Sequence, residues 1–172
     1  MKWEVQAFPD GPTLTLGGTV EQIYKRLVEI NPNFDADWGV GDPKVADDAA
    51  ALKRRTDFTG SSFLCGGKWP RTGVGDASKG IDYLYTVPEK SRNGAGPGNC
   101  GKVSCSGSEG QGASIYWCND DTQPKELASF GSIADGALFL YRSCKTSGLF
   151  PMVSGQVFHK TNCNVIIANS YC

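Results

Sequence analysis

The apolar positions of the first thirty residues change period once. Trp3, Val5 and Ala7 alternate with Glu4, Gln6 and Phe8, the pattern of a half-buried strand. Pro9-Asp10-Gly11-Pro12 supplies turn residues, and Thr13-Leu14-Thr15-Leu16 alternates again as a second short strand. From Thr19 onward the period is helical, with Val20, Ile23, Tyr24, Leu27 and Ile30 on one face. Thr19-Val20-Glu21-Gln22 has the capping-box form, and Pro32 after Asn31 stops the helix. A β-β-α unit of this size cannot bury its own apolar stripe. It is expected to dock on the larger remainder of the chain, with addition of a strand to a sheet edge as one route.

The rest of the chain reads as a second, larger pattern. Ser62-Phe63-Leu64-Cys65 is a short extended piece, and a helix is predicted near Ala77 to Thr86, with Ile81, Leu84 and Tyr85 inward. After the glycine-rich loop Asn93 to Asn99, strands are predicted at Val103-Ser104-Cys105 and Ser114-Ile115-Tyr116-Trp117-Cys118. The longest helix comes next, capped by Ser129, with Phe130, Ile133, Ala134, Ala137, Leu138, Tyr141 and Cys144 on one face. Met152 to Phe158 and Asn164 to Ala168 close the chain as two strands joined by the turn His159 to Asn162. The fold class is α+β, an antiparallel sheet with a long helix packed on it.

Composition changes this picture through the cysteines. All seven (Cys65, Cys100, Cys105, Cys118, Cys144, Cys163 and Cys172) lie beyond residue 55. Zinc sites bring ligands in close pairs, often with histidine; here the closest spacing is Cys100-x4-Cys105, and His159 is the single histidine. Disulfides are therefore expected, and with them an oxidising, extracellular location. The secretion signal is expected to have been removed ahead of Met1-Lys2-Trp3-Glu4, which has no apolar run. Three bridges leave one cysteine over, and spacing does not fix their connectivity. Cys144, closing the long helix, and Cys172 are expected to be paired.

The cysteine boundary coincides with a basic triplet, Lys53-Arg54-Arg55, at the end of the acidic, alanine-rich stretch Asp42 to Ala51. That stretch has no apolar periodicity and reads as an exposed linker. Residues 1–55 are accordingly read as a pro-segment with a processing site at Lys53, Arg54 and Arg55, and residues 56–172 as the mature cysteine-rich domain. The alternative is an ordinary solvated charge run. A formal net charge of −1 gives no reason to expect nucleic acid, and no stretch is long enough to insert in a membrane.

Catalytic motifs do not emerge. No G-x-S-x-G, H-E-x-x-H or phosphate-binding glycine loop occurs, and His159 sits in a predicted turn without a nucleophile motif. Asn119-Asp120-Asp121 succeeds a predicted strand. It suits either calcium or, more simply, a turn whose side chains bond their own backbone. Trp69, in Gly66-Gly67-Lys68-Trp69-Pro70, is either a recognition anchor or a cap on the core beneath its loop. These four residues, Trp69, Asn119, Asp120 and Asp121, are the candidate recognition positions. No metal or cofactor is expected.

In order along the chain, Pro97 to Cys105, Ser114 to Asp121, Ser129-Phe130, Ile133 to Ala137, Val153 to Phe158 and Asn164 to Ile167 resemble the small cysteine-rich secreted proteins of filamentous fungi, called effector-like. The resemblance covers about residues 63–172 of the sequence. A kexin-processed pro-segment is a general habit of that group. A looser likeness, at the level of fold, is to the killer toxins encoded by viruses of smut fungi. Cys163 departs from the group's pattern, standing where an aromatic is expected, which makes it the odd cysteine. The resemblance implies a secreted, monomeric virulence or interaction factor that is not an enzyme. Its partners would be a processing protease and a host or microbial protein or cell-surface target. A killer-toxin-like or antimicrobial protein and a small secreted hydrolase are the alternatives.

Overall fold

The computed structural model describes residues 2–40, 56–87, 90–107 and 111–172. The basic triplet Lys53 to Arg55 and the acidic linker before it lie outside the described residues.

At the N-terminus, β1 (Lys2–Gln6) pairs antiparallel with β2 (Thr13–Gly17), setting Trp3 opposite Leu16 and Val5 opposite Leu14. Helix α1 (Val20–Ile30) buries Val20, Ile23 and Leu27. Its first turn is fixed by Gln22, whose side-chain oxygen accepts the Thr19 N–H at 3.0 Å, one arm of a capping box. A short helix the sequence pattern did not suggest, α2 (Phe34–Trp38), comes after Pro32. Buried Asn31 joins the pieces, its amide donating to Ala7 O and to Asp37 Oδ2, both at 2.8 Å.

Beyond the linker come β3 (Ser62–Cys65), β4 (Thr72–Gly73), α3 (Val74–Thr86), β5 (Arg92–Asn93), β6 (Asn99–Ser106) and β7 (Gly112–Asn119). They are succeeded by β8 (Lys125–Glu126), α4 (Gly131–Cys144), β9 (Met152–Val153), β10 (Gly155–His159) and β11 (Cys163–Ser170). Five strands form one antiparallel sheet in the order β3-β10-β11-β7-β6. The fold is α+β. Period-two alternation divides the sheet's side chains between two faces. Ile115, Trp117, Val157, Val165 and Ile167 enter the main core under α3 and α4, while Cys118, Ile166 and Ala168 form a smaller cluster on the opposite face. Gly136 permits the close approach of α4, since a Cβ there would stand 2.8 Å from both Phe58 Cζ and Val165 Cγ2.

Three disulfides fasten this body: Cys65–Cys144, Cys100–Cys118 and Cys105–Cys172. Cys163 is unbridged and buried. The first ties edge strand β3 to the end of α4, and the second joins directly opposed residues of β6 and β7. Among the described residues no helix is long and apolar enough to cross a membrane.

Two expectations need correction. Among the described residues, the N-terminal hairpin adds no strand to the main sheet, and β1 and β2 pair only with each other. Ser129 does not cap α4, because the helix begins at Gly131, with Phe130 at the capping position and buried. Phe130 is held there by Trp3, whose ring stacks on it with centroids 4.2 Å apart and planes within 2°.

Candidate functional site

The turn after β7 brings the three polar candidates together, but not as a surface. Asn119 is fully buried; its amide donates to Gly94 O at 2.8 Å and Gln123 O at 2.7 Å, and its oxygen accepts the Asp121 N–H at 3.0 Å. Asp120 accepts from Gly98 N–H at 3.1 Å and from the Asn164 amide at 2.7 Å. Asp121 accepts from Gln123 N–H and is bridged by Lys125, both at 3.4 Å. The backbone N–H of Gln123, and then Lys125, hold the Asp121 carboxyl below the usual aspartate value. These side chains stitch the glycine-rich loop at 94–98 to the sheet. Asn119 is thus corrected from a recognition residue to a buried organiser of the loop. A residue with every polar atom satisfied internally has nothing left for a ligand.

Trp69 lies elsewhere on the outer face. Its loop is clamped at several points: Gly66 N–H donates to Ser154 O at 3.0 Å, the Ser154 hydroxyl to Trp69 O at 2.9 Å, and Asn169 N–H to Pro70 O at 2.8 Å. The indole N–H donates to Gln156 Oε1 at 3.2 Å, Gln156 donates to Asn164 Oδ1 at 2.9 Å, and Asn164 donates in turn to Asp120. One polar chain therefore crosses the sheet from Trp69 to Asp120. Beside it is an open groove of about 270 Å³, lined by Trp69, Cys100, Tyr116, Ile166, Ala168 and Asn169. Trp69 packs on the small apolar cluster and also walls this groove. Lys68 lies 4.8 Å from the Trp69 ring and Lys102 5.6 Å from the Tyr116 ring.

A second surface was not singled out by sequence, and it is the better built of the two. Helix α1 lies against edge strand β6, and the Glu21 carboxylate is aimed at that edge. Cys105 N–H donates to both its oxygens at 3.1 Å, and the hydroxyl of buried Ser104 donates to Oε1. Ser106 adds a longer contact at 3.4 Å. An unpaired edge N–H is thereby closed by a side chain rather than by a strand. The same N-terminal unit also lays Trp3 over Phe130 and sets Tyr24 edge-on to Tyr83 at 5.8 Å. Glu4 reaches Arg92 at 4.0 Å in an exposed pair worth little. The signals available in sequence were a lone acid in the first turn of an amphipathic helix and the Ser104-Cys105-Ser106 run. Neither names the other.

Among the described residues, no three His, Cys, Asp or Glu side chains gather as a metal site. His159 bonds Thr161 at 2.8 Å and its ring lies 4.9 Å from that of Phe58. No protein-family model, curated protein or solved structure matches this chain.

Proposed function

We propose that this is a secreted, effector-like binding protein made as a precursor, whose N-terminal unit occupies the face that later meets a host or microbial target. The observation that carries the reading is the way residues 2–40 are held. Trp3 on Phe130 and Glu21 on Cys105 make a specific seat, yet every cysteine lies beyond residue 55, so no covalent bond other than the linker joins the unit to the rest. Cutting that linker at Lys53 to Arg55 turns an intramolecular contact into an ordinary non-covalent complex, whose effective concentration falls with dilution. The vacated face would present the flat ring of Phe130 and, at the edge of β6, three hydrogen-bond donors. An aromatic anchor with converging polar groups is the usual core of a protein-binding patch.

The test is to treat the folded protein with a kexin-type protease and track it by mass spectrometry and gel filtration. One cut near Arg55 is expected, with dissociation of the N-terminal piece on dilution. The cut form should then capture a partner from host or microbial extract that the uncut form does not. Adding back the N-terminal piece in excess should block that capture. An uncut chain defeats the precursor reading. Equal capture by both forms defeats the masking.

A further inference from the structure

We infer that Asp135 is a receptor for an ammonium group, the one created on Thr56 when the chain is cut after Arg55; this rests on the processing reading above. Thr56 N–H donates to Asp135 Oδ2 at 2.7 Å, and the Tyr85 hydroxyl donates to Oδ1 at 2.7 Å. Asp135 is the one charged residue in Ile133-Ala134-Asp135-Gly136-Ala137, a segment whose other four members are buried. Among the described residues no lysine or arginine pairs with it. A half-buried carboxylate on the core helix is thus left with neutral donors from α3 and from the start of the cysteine-rich region.

The nitrogen that reaches Asp135 is the one that a cut after Arg55 would free. Hydrolysis of the Arg55–Thr56 bond consumes one water. Arg55 keeps the new carboxylate, and the Thr56 nitrogen becomes a primary amine, protonated at neutral pH because α-amino groups titrate near about 8. A hydrogen bond from a neutral N–H to the carboxylate becomes a hydrogen-bonded ion pair, charged on both sides, without displacement of either partner. Processing therefore fastens the first residue of the mature body to α4 at the moment it loosens the N-terminal unit. The register is strict. A cut after Arg54 leaves the ammonium one residue, about 3.8 Å of chain, from the nitrogen that meets Asp135.

A carboxylate partner raises the ammonium pKa, so the added stability is present below about 8 and is lost as pH rises through the folded value. The groups that bear on this contact are Tyr85 on Asp135, and Asp57 next to Thr56 with its neighbours His159 and Lys160.

The experiment replaces residues 52–55 by Ile-Glu-Gly-Arg, so that a protease specific for that sequence yields the Thr56 terminus whether or not the native triplet is cut. At about pH 7, Asp135→Asn should raise the unfolding constant of the cut form about tenfold more than that of the uncut form, and the excess should shrink towards pH 10. A second cut form, whose terminus is residue 55, should lack the excess. Should Asp135→Asn fail to fold, the Thr56 α-amino pKa of the cut wild-type chain, read by NMR, must lie above that of an unstructured peptide. Equal Asp135→Asn costs in cut and uncut forms, or an unraised amine, overturn the inference. If only the engineered site is cut, the ammonium receptor stands and the native processing reading fails.

Discussion

Residues 2–40 and residues 56–172 contribute to one apolar core, yet they are secured by different means. The larger region carries all six bridged cysteines, and its disulfides close loops with separations of 79, 67 and 18 residues. The smaller has a capping box, a buried asparagine, a ring stack and one carboxylate latch. A disulfide acts mainly by restricting the unfolded chain, and it holds wherever the thiols stay oxidised. A ring stack or a carboxylate latch acts only while the partners touch. The contrast is between a part stapled covalently and a part held by non-covalent contacts and the linker alone.

The comparison breaks first, and hardest, at the longest staple. Replacing Cys65 and Cys144 by alanine releases the loop of separation 79, for which chain entropy predicts a loss of about 4–5 kcal/mol. The same argument gives about 3 kcal/mol for Cys100–Cys118, whose separation is 18. Urea unfolding of the two double variants should reproduce that order. If the Cys65–Cys144 variant is as stable as the wild type, edge strand β3 is held by packing alone and the contrast between the regions disappears.

Trp3→Ala addresses the other region. Trp3 is 3% exposed and stacks on Phe130, so its loss should cost about 3–5 kcal/mol of the N-terminal unit's attachment. Amide exchange distinguishes the two regions: protection should collapse in α1 and stay unchanged in β7 and β11. Equal loss in both would mean that the regions unfold as one cooperative unit and that the smaller one is no separable piece.

These elements differed in how much the sequence disclosed of them. Alternation at Trp3 and Val5, and the helical spacing of Ile23 and Leu27, point to the elements found because each reports a local period. The interlocking of regions has no such period. Ser129 looks like a cap by residue type, but α4 starts later because Phe130 is needed beneath Trp3, more than a hundred residues away in sequence. Asn119 looks like a surface turn residue, yet it is fully buried because Gly94, Asp121 and Gln123 together satisfy its amide. The hairpin of β1 and β2 suggested edge addition, but a carboxylate already occupies the outward N–H of Cys105. Nothing in the sequence pattern signals that the Thr56 N–H would reach Asp135.

The smallest and sharpest change is Glu21→Gln. The carboxylate is acceptor-only, and it meets three donors, the Cys105 N–H on both oxygens and the Ser104 and, at 3.4 Å, Ser106 hydroxyls on Oε1. A glutamine keeps the shape but puts an NH2 group where one of those oxygens stood. The serine hydroxyls can rotate to accept from it; the Cys105 N–H cannot, and keeps one acceptor where it had two. The lost charge also removes the favourable interaction of an acid with the first turn of α1, a contribution of about 0.3–1 kcal/mol. Together with the weakened charge-assisted bond, the variant should cost about 1–2 kcal/mol in the opening free energy of the Cys105 amide. Hydrogen exchange should register that loss at Cys105 and through α1, with β10 and β11 unmoved. If Cys105 exchanges no faster in Glu21→Gln, the edge of β6 is shielded by packing rather than by the latch. The attachment of the N-terminal unit would then rest on Trp3 and its aromatic neighbours.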